Sequence, residues 1–190
     1  MNPLFRRFLI LALAAPVLFS CKEDADAPFA NPTQIDRYFP VSDFLEEKIA
    51  QRAGAAVSKT IRFNEEVEEA RFEPDEEAWR KELDFFFQAD INKAALATSY
   101  ETTEEDGRLI HALKPGEKGT VQQILVQKHG ERIEAIRIET VTSNLFYQSE
   151  VNGVLFLDDN EDLVEYQLKG NQKVWFMGPT RLEVRASVSK

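Results

Sequence analysis

Few residues in this chain of 190 have the side-chain chemistry of a catalytic or metal site. It contains one cysteine, Cys21, and two histidines, His111 and His129. Zinc is usually held by three or four Cys, His or carboxylate ligands, and no spacing here suggests such a set. The nucleophile motif G-x-S-x-G and glycine-rich phosphate loops are also absent. We therefore expect no catalytic residue, no cofactor and no bound metal, and we predict that the protein is not an enzyme.

The two histidines have simpler interpretations than catalysis. His129 stands before Gly130, between two apolar runs, and is predicted to be a solvated turn residue. His111 faces the same way as Leu109 and Leu113 in a short strand pattern, so we expect a structural histidine in a sheet. A Ser-His-Asp triad has no fixed sequence spacing. An enzyme that pairs His111 with a carboxylate is therefore kept as a third hypothesis.

An acidic segment, Asp158-Asp-Asn-Glu-Asp162, begins like a calcium-binding loop. An EF-hand loop needs Gly at its sixth position and Glu at its twelfth, where this chain has Leu163 and Lys169. We interpret the segment as an acidic hairpin loop, with a weak surface Ca²⁺ site as the alternative.

Cys21 follows a segment with the pattern of an export signal. Arg6 and Arg7 precede an apolar run over residues 8–19, which is shorter than the roughly 20 residues that span a bilayer. The sequence Leu18-Phe-Ser-Cys21 resembles the lipobox of bacterial lipoproteins, although Phe19 is bulkier than usual. The resemblance implies cleavage after Ser20 and a lipid on the Cys21 sulfur. The alternative is an ordinary signal peptide with a chance cysteine.

Lys22-Glu23-Asp24 resembles the export signal of surface lipoproteins of the Bacteroidota type, which implies a lipid anchor in the outer membrane. A solvated linker is the alternative, and display at the cell surface or in the periplasm stays open. We predict three regions: a lipoprotein signal peptide (1–20), a lipidated flexible tether (21–34) and a single domain (35–190).

The composition suits a folded domain with an acidic surface. Apolar residues make up 43% of the chain and the formal charge is −10. Removing the signal takes away two arginines and no acid, which leaves −12. An acidic domain repels phosphate backbones, so we expect no nucleic-acid partner. The expected partner is the membrane, through the lipid on Cys21.

Two helices are predicted in the first half of the domain. The first covers residues 43–53, with Asp43 as its N-cap and Glu46 completing a capping box. The second covers residues 75–90 and is identified by an apolar stripe at helical spacing: Trp79, Leu83, Phe86 and Phe87. Between them, residues 58–72 fit either a hairpin or a helix, and the hairpin is favoured.

The second half of the domain reads as short strands separated by turns. The predicted strands are 97–102, 108–113, 120–128, 132–141, 144–151, 154–157, 163–169, 173–177 and 180–188. Asn152-Gly153 is the strongest hairpin-turn signal, and Gly170-Asn171 is expected to turn as well. The predicted fold class is α+β: a large meandering antiparallel sheet, of a size that tends to curl, with N-terminal helices packed on one face. Helices followed by a meander also resemble uncharacterised lipoproteins of the Bacteroidota type, which implies no activity.

Two short segments, 154–157 and 174–177, are apolar on both faces of their predicted strands. They motivate the leading hypothesis, a non-catalytic envelope lipoprotein that binds a partner protein or surface component around Phe156 and Trp175. The alternative is a carrier of a lipid or other apolar ligand, with Trp79, Phe86 and Phe87 lining its cavity.

Overall fold

A computed structural model describes residues 34–189, which lie in one unit of the chain, Asn31–Lys190. The predicted signal peptide, Cys21 and nearly all of the predicted tether lie outside the described residues. The helices are α1 (Val41–Arg52), α2 (Glu76–Glu82) and α3 (Asp84–Gln88), followed by a 3₁₀ turn, Ala94–Leu96. The strands are β1 (Val57–Phe63), β2 (Glu66–Phe72), β3 (Tyr100–Glu105), β4 (Arg108–Leu113), β5 (Val121–His129), β6 (Arg132–Ser143), β7 (Tyr147–Leu157), β8 (Leu163–Val174) and β9 (Thr180–Val188).

All nine strands form one antiparallel sheet, in the order β2-β1-β9-β8-β7-β6-β5-β4-β3. Strands β3 to β9 form a meander, and the β1–β2 hairpin joins it beside β9. Strands β2 and β3 are the two edges, so the sheet is open. The predicted antiparallel meander and the favoured hairpin within 58–72 are confirmed. The described residues are mostly β with three short helices, so the α+β prediction is confirmed only in part.

The first helix begins two residues before the predicted start and is not capped by Asp43. Its N-cap is Pro40, and no side chain of the cap accepts a hydrogen bond. Instead, the Oδ2 atom of Asp90 accepts from the Ser42 N–H at 2.8 Å. The predicted capping box was wrong because an acid 48 residues away in the sequence satisfies this helix end.

The single helix predicted for 75–90 is divided at Leu83. Asp75 caps α2 by accepting from the Ala78 N–H at 2.8 Å, and α3 begins after Leu83. With this break, Trp79, Leu83 and Phe86 are all fully buried. The predicted apolar stripe therefore does form core, but through two short helices.

The strongest predicted turn, Asn152-Gly153, is instead part of the long strand β7. A type I′ turn needs positive φ at both central residues, and neither residue has it. Gly153 packs directly beneath α3, where an added Cβ would lie 2.3 Å from Cε1 of Phe85. Gly153 allows α3 to pack closely against the sheet. The prediction of a turn at Asn152-Gly153 was therefore wrong.

The predicted turn at Gly170-Asn171 is also wrong, because β8 continues through it to Val174. Both residues are paired with β7 on one side and β9 on the other. A turn there would break ladder hydrogen bonds to two long neighbours. The chain turns instead at residues 175–179, which contain Gly178 and Pro179.

The core lies between the helices and one face of the sheet. Trp79 of α2 packs edge-on against Tyr166 of β8, with ring centroids 6.4 Å apart. Glu82 accepts hydrogen bonds from the Tyr166 hydroxyl and from Nζ of Lys59. Burial, together with the Glu82 carboxylate, raises the pKa of Tyr166. Its hydroxyl therefore stays protonated and donates to Glu82, so the polar groups at this interface are paired.

Candidate functional site

Two neighbouring turns at one end of the sheet carry exposed apolar side chains. Between 59% and 89% of the surface of each of these residues is exposed. We call this set the apolar tip. The β6–β7 turn contributes Leu145 and Phe146, and the β8–β9 turn contributes Trp175, Phe176 and Met177.

Hydrogen bonds fix the backbone of the apolar tip. The Trp175 N–H donates to the Phe146 carbonyl at 2.9 Å and so joins the two turns. Oδ1 of Asn144 accepts from the Phe146 N–H at 2.9 Å, and the Met177 N–H donates to the Val174 carbonyl at 3.0 Å. The ring centroids of Phe146 and Trp175 lie 6.2 Å apart, with the ring planes tilted by 54°. The tip is therefore a defined surface, presented by ordered turns.

The charge around the apolar tip differs from that of the rest of the chain. Acids make up 33 of the 190 residues, yet segments 140–149 and 170–182 contain none. Their charged residues are Lys173 and Arg181, which are exposed and form no ion pair with any described residue. The tip is thus an apolar surface with a basic border on an acidic protein.

Three further apolar residues lie near the β1–β2 turn and are 38% to 50% exposed. Phe63 and Leu182 are register partners on β1 and β9, and Val67 lies on the edge strand β2. They are less exposed than the tip residues, and they lie lower in the sheet. Phe63 and Leu182 share one face of the sheet, whereas Val67 is the register partner of Arg62 and lies on the other face, away from the tip.

His111 is a buried structural residue, as the sequence suggested. Its Nε2 atom accepts from the Phe39 N–H at 3.0 Å, so Nδ1 carries the proton and donates to Oγ1 of Thr102 at 2.8 Å. Burial lowers the pKa of His111, which favours this neutral form. Its two ring nitrogens therefore meet a backbone amide and a hydroxyl rather than a carboxylate. His129 is exposed at the end of β5, as expected.

The acidic segment 158–162 is a hairpin loop between β7 and β8, as interpreted from the sequence. Oδ1 of Asp158 accepts from the backbone N–H groups of Asn160 and Asp162. Asp162 pairs with Arg52, and Asp159 pairs with Arg132. The acids point to different partners, and no group of three potential metal ligands occurs among residues 34–189.

The three residues predicted to line a ligand cavity are separated in the structure. Trp79 and Phe86 are fully buried in the core. Phe87 instead borders an open cleft of about 460 Å³ at the start of the domain. The cleft is lined by Gln34, Ser42, Phe87, Asp90, Asn92, Lys93, Ala94 and Ala95.

The sequence pattern identifies three of the five residues of the apolar tip, because segment 174–177 contains Trp175, Phe176 and Met177. Trp175 was singled out with its apolar segment, whereas Leu145 and Phe146 were assigned to the start of a strand. A signal for them was present: Asn144 favours a turn, and two large apolar residues immediately after it would be exposed at the turn. The contact between Phe146 and Trp175 depends on the register of β7 with β8. The sequence pattern does not specify this register.

Comparison of the chain with protein-family models, curated proteins and solved structures found no match. Among the described residues, no helix is both long and apolar enough to cross a membrane.

Proposed function

We propose that this chain is an envelope lipoprotein, anchored in the outer membrane by lipid on Cys21, whose domain is a non-catalytic binding module. The apolar tip is the observation that carries the binding role. Burying a Trp or Phe side chain contributes about 1.5–3 kcal/mol, so five exposed apolar residues represent a large unused driving force for association. Because the turns are already ordered, little conformational entropy is lost when the tip binds.

Protection of the tip in its native setting tests the binding role. Hydroxyl-radical footprinting of Trp175 and Met177 is compared between the purified protein and intact cell envelopes. His129, exposed at the opposite end of the sheet, is the internal control for access of the radical. We expect oxidation of Trp175 and Met177 to fall several-fold in envelopes relative to His129. Equal relative oxidation in both samples would remove the basis of the proposal.

The anchor is supported by the lipobox-like sequence, by the placement of the one cysteine in the chain and by the tether that follows it. Mass analysis of the amino-terminal peptide tests it, with lipid on Cys21 as the expected result. An unmodified amino terminus rejects the anchor. Protease shaving of intact cells then distinguishes display at the cell surface, where the domain is cleaved, from a periplasmic location, where it is protected.

A second candidate is a carrier of a lipid or other apolar ligand, favoured by the cleft beside Phe87. Its volume of about 460 Å³ falls in the range of small-molecule sites. Native mass spectrometry of the protein from cells is the test, and a bound apolar molecule that is lost in a Phe87→Ser variant is the expected result. A protein that carries no additional mass rejects this candidate and leaves the tip proposal unaffected.

A further inference from the structure

The apolar tip projects beyond the strands on either side of it. We infer that it inserts into the interfacial region of a lipid bilayer, so that the domain contacts the membrane directly as well as through its anchor. This inference rests on the proposed function and names the partner of the same surface.

The shape of the sheet end suits contact with a flat surface. Strands β6, β7 and β8 continue about four residues beyond the level where β1 ends at Phe63 and β5 begins at Val121. At about 3.3 Å per residue, the two turns stand roughly 13 Å above those strand ends. A plane can therefore touch the five tip residues before it reaches the neighbouring strands.

The composition of the tip matches the chemistry of a membrane interface. Aromatic side chains, Trp above all, favour the headgroup level of a bilayer. Lys173 and Arg181 flank them and can meet anionic headgroups, which attract basic groups near the surface. A typical protein interface has a rim of mixed polar and charged residues. Here the border holds two cations and uncharged polar residues such as Ser143, Gln148 and Thr180.

The acids nearest the tip are Glu150, Glu65 and Glu66. Glu150 of β7 is the register partner of Asn171 and accepts from Nε2 of Gln148 at 3.2 Å. Glu65 and Glu66 belong to the β1–β2 turn, where Oδ1 of Asn64 accepts from the Arg181 N–H at 2.9 Å. Arg181 itself is paired with Asn171, three residues below Val174 at the tip. The acids and Arg181 therefore lie at one level, roughly 10 Å behind the tip. Lys173, which precedes Val174, is the charged residue nearest to the membrane surface.

The described chain begins at the same end of the sheet. Gln34 forms a bridge with Lys93. The nearby Tyr38 hydroxyl bonds the Leu96 and Ala97 carbonyls, and its ring packs on Tyr100. Tyr100 starts β3 opposite the end of β4, the same sheet end as the β6–β7 turn.

The segment between Cys21 and Gln34 is long enough for the lipid anchor and the apolar tip to contact the same membrane. Twelve residues lie between Cys21 and Gln34, and the thirteen steps from one to the other span at most about 45 Å when extended. A lipid on Cys21 would thus hold the membrane within reach of the sheet end that carries the tip. The anchor raises the local concentration of lipid, so weak insertion of the tip suffices.

Trp175 provides a local reporter that the anchor alone cannot mimic. The protein purified from cells is reconstituted in phosphatidylethanolamine vesicles containing phosphatidylglycerol, with and without brominated acyl chains. Trp79, the other tryptophan, is fully buried, and its emission is subtracted with a Trp175→Phe variant. The control is a Trp175→Phe/His129→Trp double variant, which places the reporter at the opposite end of the sheet.

We expect the emission of Trp175 to shift to the blue, to be quenched by brominated lipid, and to become several-fold less sensitive to aqueous iodide. The control reporter should show none of these changes. Phe146→Ser and Phe176→Ser should each lower the inserted-to-free ratio at least about tenfold, whereas Val67→Ser, an exposed apolar site away from the tip, should not. Lys173→Gln should lower it about fivefold, and only in anionic vesicles. Arg181→Gln should lower it less, because Arg181 lies farther from the tip and level with Glu150.

Two other outcomes separate this inference from the proposed function. If Trp175 stays open to iodide in vesicles but is protected in intact envelopes, the partner is a protein: the membrane inference fails and the binding role stands. If Trp175 is open in both settings, both fail.

Discussion

The two apolar segments 154–157 and 174–177 have similar sequences and opposite surroundings. Leu155 is 1% exposed and Val154 is buried, while Phe156 and Leu157 are half-buried. Trp175, Phe176 and Met177 are 59–76% exposed. Local hydrophobicity therefore identified both apolar segments, but it did not determine which of them the rest of the fold would bury.

Segment 154–157 is shielded on both faces of the sheet. Leu155 lies in register with Tyr166 and Ile136, on the face that α2 and α3 pack against. On the opposite face, Val154 stands between Arg137 and Gln167, whose long aliphatic stems can shield an apolar neighbour. The second segment lies beyond the end of the β7–β8 ladder and has no strand or helix to cover it.

The largest expected effect of a substitution in this comparison is at Leu155. Leu155→Ala removes a fully buried side chain beneath the helices and should lower the free energy of unfolding by about 2–5 kcal/mol. Urea denaturation monitored by circular dichroism measures it. A loss below about 1 kcal/mol would mean that the helices do not cover this part of the sheet as described.

The second effect concerns the close approach of α3 to the sheet. Gly153→Ala would place a Cβ 2.3 Å from Phe85 and 2.9 Å from Phe86, and should cost about 1–3 kcal/mol. Gly170→Ala is the matched control, because the nearest atom to its Cβ would be 3.6 Å away. Equal stability of the two variants in urea denaturation would contradict the packing of α3 on β7.

A smaller effect on the free energy of unfolding is expected from the buried histidine, His111. Since burial lowers the pKa of His111, the unfolded chain takes up a proton near pH 6.5 that the folded chain resists. The free energy of unfolding should therefore fall as the pH drops below about 6.5 and level off below the folded pKa. His111→Gln should remove this dependence in urea titrations at pH 5–8, and His129→Gln should keep it. A His111→Gln protein with an unchanged pH profile would refute the assignment.

The smallest effect on stability is expected at the tip. Trp175→Ser removes a side chain that the fold does not bury, so the free energy of unfolding should change by no more than about 0.5 kcal/mol. The same variant should lose the protection of Met177 in cell envelopes. A loss of stability comparable with that of Leu155→Ala would show that the tip is packed against the protein itself, and would end its role as a binding surface.

Much of the secondary structure could be predicted because it depends on local periodicity. Strand β4 was predicted with its observed bounds, and the buried stripe of Trp79, Leu83 and Phe86 was read from helical spacing. Glycine was the least reliable signal. Gly130 does form a turn, with a φ of 64°. Gly153 instead belongs to strand β7, where its lack of a side chain leaves room for the ring of Phe85.

The sequence alone determined the composition of the domain, its alternating strands, the structural nature of its histidines and the expectation of a lipid anchor on Cys21. Each of these follows from residue type and short-range spacing, which the chain carries before it folds. Tertiary structure decided which apolar residues became core and which became the tip. The β7–β8 pairing sets Trp175 beside Phe146, and the helix layer covers Leu155 but does not extend to the tip. Burial depends on neighbours that are distant in sequence, so the similar local patterns of segments 154–157 and 174–177 did not specify which of the two would be covered.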